Sequence, residues 1–295
     1  MSEAPYQIID GFKCYAPELA FESGDYPQEI HDRMFELEEN HFWFQARSRI
    51  IESLFRRFIG NRPAKFLEIG VGTGYVLSGL SRFPNLDLHG ADLYVNGLKY
   101  AKLRLPHVEF VQLDARRMPF VNAFDAIGAF DTLEHIEEDE RVLRNIAHAL
   151  HPEGLLFLTV PQHPWLWSTQ DDAAYHKRRY TRREIKSKLR ACGFSLEFCG
   201  SFLFLLLPVL WASRLRMQAP PQDEKTAYNW DELETSPRVN TVAGMLTRFD
   251  EWMVRLGVEL PAGGSLVAVA RKTLEREPVW VAEPILANGQ TPLTP

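Results

Sequence analysis

Between residues 65 and 160, short apolar runs alternate with amphipathic stretches, and this rhythm is the strongest pattern in the chain. Apolar runs at 65–69, 86–91, 108–113, 124–130 and 155–160 are the length of strands and lack polar alternation, as strands buried on both faces do. Helical spacing lies between them, at 75–82, at 96–103 and around Val142, Ile146 and Ala149. Strict alternation of strand and helix predicts a parallel sheet covered on both sides. Upstream, Ile30, Met34 and Leu37 recur at helical intervals from Pro27; Ile50, Leu54 and Phe58 form one face of a second helix, closed by Gly60. The first 25 or so residues have no period and are expected to be irregular. Downstream, Thr181 and Glu184 have the spacing of a capping box for a helix ending at Gly193. A sixth strand within 194–207, an amphipathic helix near 242–256 and a last strand at 265–271 follow. A region with Pro220, Pro221 and Pro237 reads as variable, and the tail from residue 273, with its Val279-Trp280-Val281, as extended.

Composition narrows the function classes. With 295 residues, 45% of them hydrophobic, the chain can build one α/β core with elaborations. A net charge of −6 argues against a nucleic-acid partner, which requires a basic footprint, and for a small-molecule substrate. Cys14, Cys192 and Cys199 show no metal or disulfide spacing, so no metal is expected. The first residues carry no secretory pattern, and a cytoplasmic location is expected. The stretch 202–212 is apolar but too short to span a bilayer and is broken by Pro208. It reads first as a buried strand leading into an apolar helix or loop, and second as a membrane-surface contact. A homodimer is the assembly allowed for.

The chemistry centres on residues 66–74, FLEIGVGTG, where a strand enters a helix through Gly70, Gly72 and Gly74. Glycines there let backbone approach a ligand closely. The spacing is not the G-x-G-x-x-G of dinucleotide enzymes, and an acid, Glu68, precedes it, which suits a cation better than a pyrophosphate. Asp92, ending the second strand, is placed to accept from ribose hydroxyls, and Asp114, ending the third, from an adenine amino group. One nucleoside, one cation and no phosphate describe S-adenosylmethionine.

The blocks LEIGVGTG (67–74), GADL (90–93), QLDARRMPF (112–120), FDAIGAFDTLEHI (124–136) and GGSLVAVARK (263–272) resemble those of class I S-adenosylmethionine-dependent methyltransferases, of the small-molecule type. The resemblance implies a Rossmann-like α/β fold, with a seven-stranded, mostly parallel sheet, helices on both faces and an antiparallel last strand. It divides the chain into an N-terminal extension and helical lid (1–62), a cofactor-binding domain (63–272) with substrate-side insertions at 161–180 and 208–262, and a tail (273–295). By resemblance, Gly70, Gly72 and Gly74 line the methionine and ribose, and Glu68 orders the turn or meets the ammonium. Asp92 holds the ribose, Leu93 packs on adenine, Asp114 and Ala115 read its edge, and Asp131 lies near the methionine end. The block HFWFQARSR (41–49) resembles a leading helix that closes over the cofactor in a subset of these enzymes. There Arg47 pairs with the cofactor carboxylate and Trp43 or Phe44 faces the sulfonium.

The connection 161–180 is far longer than an ordinary strand-to-helix loop and resembles a segment of the same subset. It is expected to roof the acceptor pocket, with His163, Trp167, Arg178, Arg179 and Tyr180 as substrate-binding candidates. The catalytic candidates are His135, His176 and Tyr175, needed only where the acceptor has a proton to lose. The function expected is methyl transfer to O, N or C of a small molecule, in secondary metabolism. One alternative is an intramolecular cyclisation of S-adenosylmethionine to azetidine-2-carboxylate and methylthioadenosine, which calls for a pocket too small for an acceptor. Another is a cofactor-binding or membrane-surface protein without turnover.

Overall fold

The computed structural model describes residues 4–21, 28–216 and 235–273. Its elements in chain order are β1 (Gln7–Ile9), β2 (Phe12–Cys14), α1 (Gln28–Leu37), α2 (Phe42–Phe58), β3 (Ala64–Ile69), α3 (Tyr75–Leu80), β4 (Leu86–Asp92), α4 (Val95–Arg104) and β5 (Glu109–Gln112). They continue as β6 (Phe124–Phe130), α5 (Asp139–Ala149), β7 (Leu150–Pro161), α6 (Thr169–Ala173), α7 (Arg182–Ala191), β8 (Phe194–Phe202), α8 (Leu207–Arg216), α9 (Pro237–Arg255) and β9 (Ser265–Lys272). All strands join one sheet in the order β1-β2-β5-β4-β3-β6-β7-β9-β8.

The central strand β3 pairs in parallel with β4 on one side and β6 on the other. Helices cover both faces, so alternate residues enter two different cores. Phe66 joins the core under α2, α3 and α4, while Leu67 and Ile69 join the core under α5 and α7. The period of two therefore places Glu68 on the α2 side. The last strand, β9, is antiparallel and lies between β7 and β8, as expected.

The N-terminal segment differs from the expectation of irregular chain. β1 and β2 form an antiparallel hairpin across Asp10 and Gly11, both at positive φ, and β2 continues the sheet in parallel beside β5. The sheet therefore has nine strands, the seven expected and this hairpin. The Asp-Gly pair is a strong hairpin signal, but strands of three residues leave too little alternation for a period to show.

Other boundaries shift for identifiable reasons. α2 begins at Phe42, so the aromatic patch lies inside the helix; His41 caps it, its Nδ1 accepting from the backbone N–H of Trp43. The full capping box falls at Ser168 and Asp171, opening α6, whereas Thr181 caps α7 with its hydroxyl alone. α9 starts at Pro237 and runs beside α2, held by a 2.9 Å ion pair between Arg49 and Glu251. The apolar stretch at 202 leaves the sheet at Leu203, which has φ +62, and re-enters helix as α8. The Leu203 and Phe204 N–H groups donate to Asp250 of α9, whose carboxyl burial pushes up to about 6. Among the described residues no helix is long and apolar enough to cross a membrane. Pro220, Pro221 and residues 279–281 lie outside the described residues.

Candidate active site

The carboxyl ends of β3, β4 and β6 open onto one cavity of about 1040 Å³. At its β3–β4 end the chain turns sharply through the glycines. Gly72, at φ +51, donates its N–H to Asp92 Oδ2 at 2.8 Å, and an added Cβ there would project into open space. Asp92 Oδ1 accepts from the Tyr94 N–H at 3.0 Å, so two backbone donors fix the carboxylate at the cavity wall. Two such bonds leave further lone pairs on the carboxylate for ligand hydroxyls.

Glu68 is buried on the α2 side of the turn, and its Oε2 has no hydrogen-bond partner. Burial pushes its carboxyl up to about 8, against the opposing charge of Arg47 and with help from Glu38 and Asp92. The backbone of Leu77 opposes that rise, and the oxygen left without a partner could receive a cation.

α1 and α2 close this end. Glu38, just beyond α1, is buried and receives hydrogen bonds from Thr73 Oγ1 in the glycine turn and from Arg104 at 3.0 Å. Burial raises the Glu38 carboxyl even so. The Arg104 guanidinium lies over Phe35 at 4.4 Å, which joins α1 to α4. In α2, Arg47 donates to Asp131 Oδ2 at 2.7 Å, and Asp131 also accepts from Thr159 Oγ1 at 2.9 Å. The Arg47 guanidinium sits over Trp43 at 4.5 Å and Phe44 at 5.6 Å.

Further lining comes from the turn after β6, the connection after β7, α8 and α9. Glu134, His135, Tyr175 and His176 contribute to it, with apolar Leu206, Val209 and Val239 beyond them. His176 Nδ1 is 2.9 Å from Asp171 Oδ1, and Arg179 Nε donates to the same oxygen at 2.7 Å. Burial alone would raise Asp171, but these two partners hold its carboxyl below the ordinary value. His135 is pushed down to about 3 by burial, with His176 adding to the effect, so its imidazole is neutral at physiological pH.

A model of the family described as "Methyltransferase domain" matches residues 67–158. The malonyl-[acyl-carrier protein] O-methyltransferase of Bacillus anthracis is 30% identical over 37% of this chain and 42% of its own length. The [4+2]-cyclase SpnF superposes with a TM-score of 0.52 at 21% identity, covering 78% of this chain and 82% of that one. The phosphoethanolamine N-methyltransferase 2 of Haemonchus contortus, in complex with S-adenosyl-L-methionine, gives 0.50 at 20% identity over 76% and 52%. Residues 67–158 of the chain are thus similar to methyltransferase domains. The chain spans only about two fifths of the length of the first curated relatives it matches, 42% and 43%.

S-adenosylmethionine, the cofactor bound in one of these neighbours, fits the cavity. The open glycine turn, the fixed Asp92 carboxylate and the unpartnered Glu68 oxygen together suit a nucleoside carrying a cationic amino acid. Gly70, Leu93, Ala115 and Asp131 also line the cavity.

Several expected roles are redirected. Gly74, at φ +77, does not line the cavity; it is the N-cap of α3, and its missing Cβ leaves room for Ala101 of α4 at 3.0 Å. Asp114 lines the cavity, but its oxygens are engaged by the backbone and Nε of Arg116 and by Arg117, because a helical turn over 115–117 brings both arginines back onto it. Arg47 is paired within the protein, with Asp131, and it is this guanidinium that lies over Trp43 and Phe44.

Of the substrate-binding candidates, Arg179 alone lines the cavity, as the partner of Asp171. Tyr180 is fully buried, donating to Asp139 Oδ2 at 2.8 Å; burial beside that carboxylate raises its phenol. Arg178 turns outward to Glu137 and Asp139. Trp167 donates its Nε1 to Asp172, and His163 stacks on Trp165 at 4.8 Å, both away from the cavity. The reason is common to all four. The connection folds back on itself and on the start of α5, and the cavity receives only what its inner side presents.

Sequence reasoning did not single out Glu134. It lies inside the quoted block FDTLEHI, where an acid between Leu133 and His135 follows the strand-ending Asp131 by three residues. It is fully buried, and no other residue donates a hydrogen bond to either carboxylate oxygen. Burial, then the neighbouring charge of Asp131, holds its carboxyl well above the usual range.

Proposed function

We propose that the protein is an S-adenosylmethionine-dependent methyltransferase acting on O, N or C of a small molecule. The observation that carries this reading is the single cavity of about 1040 Å³, above the usual range of one-ligand sites and therefore roomy enough for donor and acceptor together. Bound S-adenosylmethionine supplies a methyl group on a positively charged sulfur, already activated for transfer.

The chain's own residues then have three tasks. Asp92 and the glycine turn fix the nucleoside, while Glu68 receives the amino group. Trp43, Phe44 and the α1–α2 cover exclude water and align the reactants, and orientation of this kind is worth roughly 7–11 kcal/mol. His176, held through Nδ1 by Asp171, turns its second nitrogen to the acceptor's reacting group. The acceptor best suited has a polar reacting group for His135, Tyr175 and His176 and an apolar body for Leu206, Val209 and Val239. Such an acceptor is compatible with secondary metabolism and with a cytoplasmic enzyme. The same volume disfavours the intramolecular cyclisation, which needs a pocket closed tightly around one molecule.

The test is incubation of purified protein with S-adenosylmethionine, alone and with candidate acceptors, followed by mass spectrometry of the nucleoside product. S-adenosylhomocysteine that appears only with acceptor supports the proposal, and methylthioadenosine above background without acceptor overturns it. Asp92→Ala is expected to weaken cofactor binding at least tenfold by calorimetry.

A further inference from the structure

The cluster at the acceptor end has donors that a methyl transfer does not require. Glu134, His135 and His176 each offer a ligand atom, and those atoms lie within 4.8 Å of one another. We propose that these three side chains bind one divalent first-row transition-metal ion at the acceptor end of the cavity.

Three observations point to a cation. First, Glu134 is a fully buried carboxyl with neither oxygen bonded by another residue, in the wall of a cavity. A buried carboxylate left this way is costly unless it is paired or coordinates a metal. Second, both imidazoles are held by an outer partner on one nitrogen, leaving the other as a lone-pair donor. His176 bonds through Nδ1 to Asp171, and His135 bonds to the backbone carbonyl of Ala174. This carboxylate or carbonyl behind a histidine is the outer shell that metal-ligating imidazoles carry. Third, the backbone joins the two sequence-distant halves of the cluster. Lys177 N–H donates to the Glu134 carbonyl at 2.7 Å, and His176 N–H to the Asp171 carbonyl at 2.9 Å.

Two imidazoles and one carboxylate select the ion. Such a nitrogen-rich set suits zinc, iron(II), manganese, cobalt or nickel, and not calcium or magnesium, which take oxygen ligands. The ligand atoms would close to about 3 Å from one another around an ion with bonds of about 2.1 Å. Three protein ligands leave further positions open toward the cavity, as catalytic metal sites do. Given the methyltransferase reading above, those positions would hold an acceptor presenting an ionisable oxygen, and the ion would favour its deprotonated form. The cysteine spacing that argued against zinc bears only on thiolate sites and leaves this one open.

Cobalt(II) is the probe, because its visible absorption reports the coordination sphere without any turnover. Metal-free full-length protein titrated with cobalt(II) is expected to bind one equivalent at micromolar affinity, with zinc(II) displacing it. Glu134→Gln and His176→Asn are expected to weaken binding more than tenfold. Asp171→Asn, acting through His176, is expected to cost 10–100-fold. His107→Ala, at an exposed histidine away from the cluster, is expected to change nothing. Thermal melts followed by circular dichroism confirm that each variant is folded; Glu134→Gln keeps the size of the side chain and guards against loss of fold. Absence of stoichiometric binding by the parent protein overturns the proposal. So does binding retained within threefold in Glu134→Gln and His176→Asn. The titration contains no S-adenosylmethionine, so it fails or succeeds independently of the methyltransferase reading.

Discussion

If Glu68 receives the cofactor's amino group as proposed, its surroundings couple binding to a proton. Burial holds the free carboxyl near 8, so at pH 6.5 the residue is almost wholly protonated before ligand arrives. A cationic amino group beside Oε2 needs the carboxylate, so binding requires loss of that proton. The cost at pH 6.5 is about 1.5 pKa units, or about 2 kcal/mol. Affinity should therefore rise close to tenfold from pH 6 to 7, more slowly toward 8, and fall above it as the ligand's amino group loses its proton. The sign follows from which form binds: the ligand takes the deprotonated carboxyl, which low pH withholds. Calorimetry at pH 6.5 in two buffers of different ionisation enthalpy should register release of about one proton per S-adenosylmethionine bound. Glu68→Gln should bind more weakly at pH 8, lose the slope between pH 6 and 7.5, and release no proton. The cofactor's own amino group also titrates near 8, and the glutamine variant isolates its contribution. An affinity independent of pH in the parent protein, or an equal slope in Glu68→Gln, refutes this role for Glu68.

Three further outcomes are expected. Arg47→Met leaves Asp131 partly buried without its cation and should cost about 3 kcal/mol in chemical denaturation; Arg47→Met with Asp131→Asn should recover most of that loss. Gly74→Ala should cost about 2 kcal/mol, from the positive φ and the contact with Ala101, while the folded variant binds cofactor within threefold of the parent in calorimetry. Tyr180→Phe removes a donor to buried Asp139 and should cost about 2 kcal/mol in thermal or urea melts; a change in acceptor KM would contradict its placement outside the cavity.

The residues of the central sheet were legible because a strand buried on both faces has no choice but to be apolar. The glycine turn and the Asp92 carboxylate at the cavity wall were legible because a sharp turn at positive φ and an acid at a strand's carboxyl end each mark one place in the chain. The 161–180 connection was legible as unusual, but not in detail. Arg178, Arg179 and Tyr180 are adjacent and chemically plausible, yet they serve Glu137 and Asp139, Asp171, and Asp139 respectively. Which polar neighbour a side chain meets depends on how the loop folds back, and no period along the chain encodes that. Glu134 was hidden for a related reason, since an acid between Leu133 and His135 looks like any solvent-facing residue until β6 and the loop enclose it.

The β1–β2 hairpin gives the sheet two unlike rims. Without it β5 would end the sheet as a bare ladder of N–H and C=O groups, the template on which foreign strands add. β2 occupies that ladder, and β1, only three residues long, presents a rim too short to recruit another chain. The same segment holds the ligand side in place. Gln112 in β5 exchanges hydrogen bonds with the backbone of Ala16 and donates to the Leu93 carbonyl, and the Ala20 carbonyl accepts from Val95 at the head of α4. A clip that discourages aggregation thus also braces the loop carrying Leu93, so removing residues 1–20 should both promote self-association and loosen the adenosine end of the cavity.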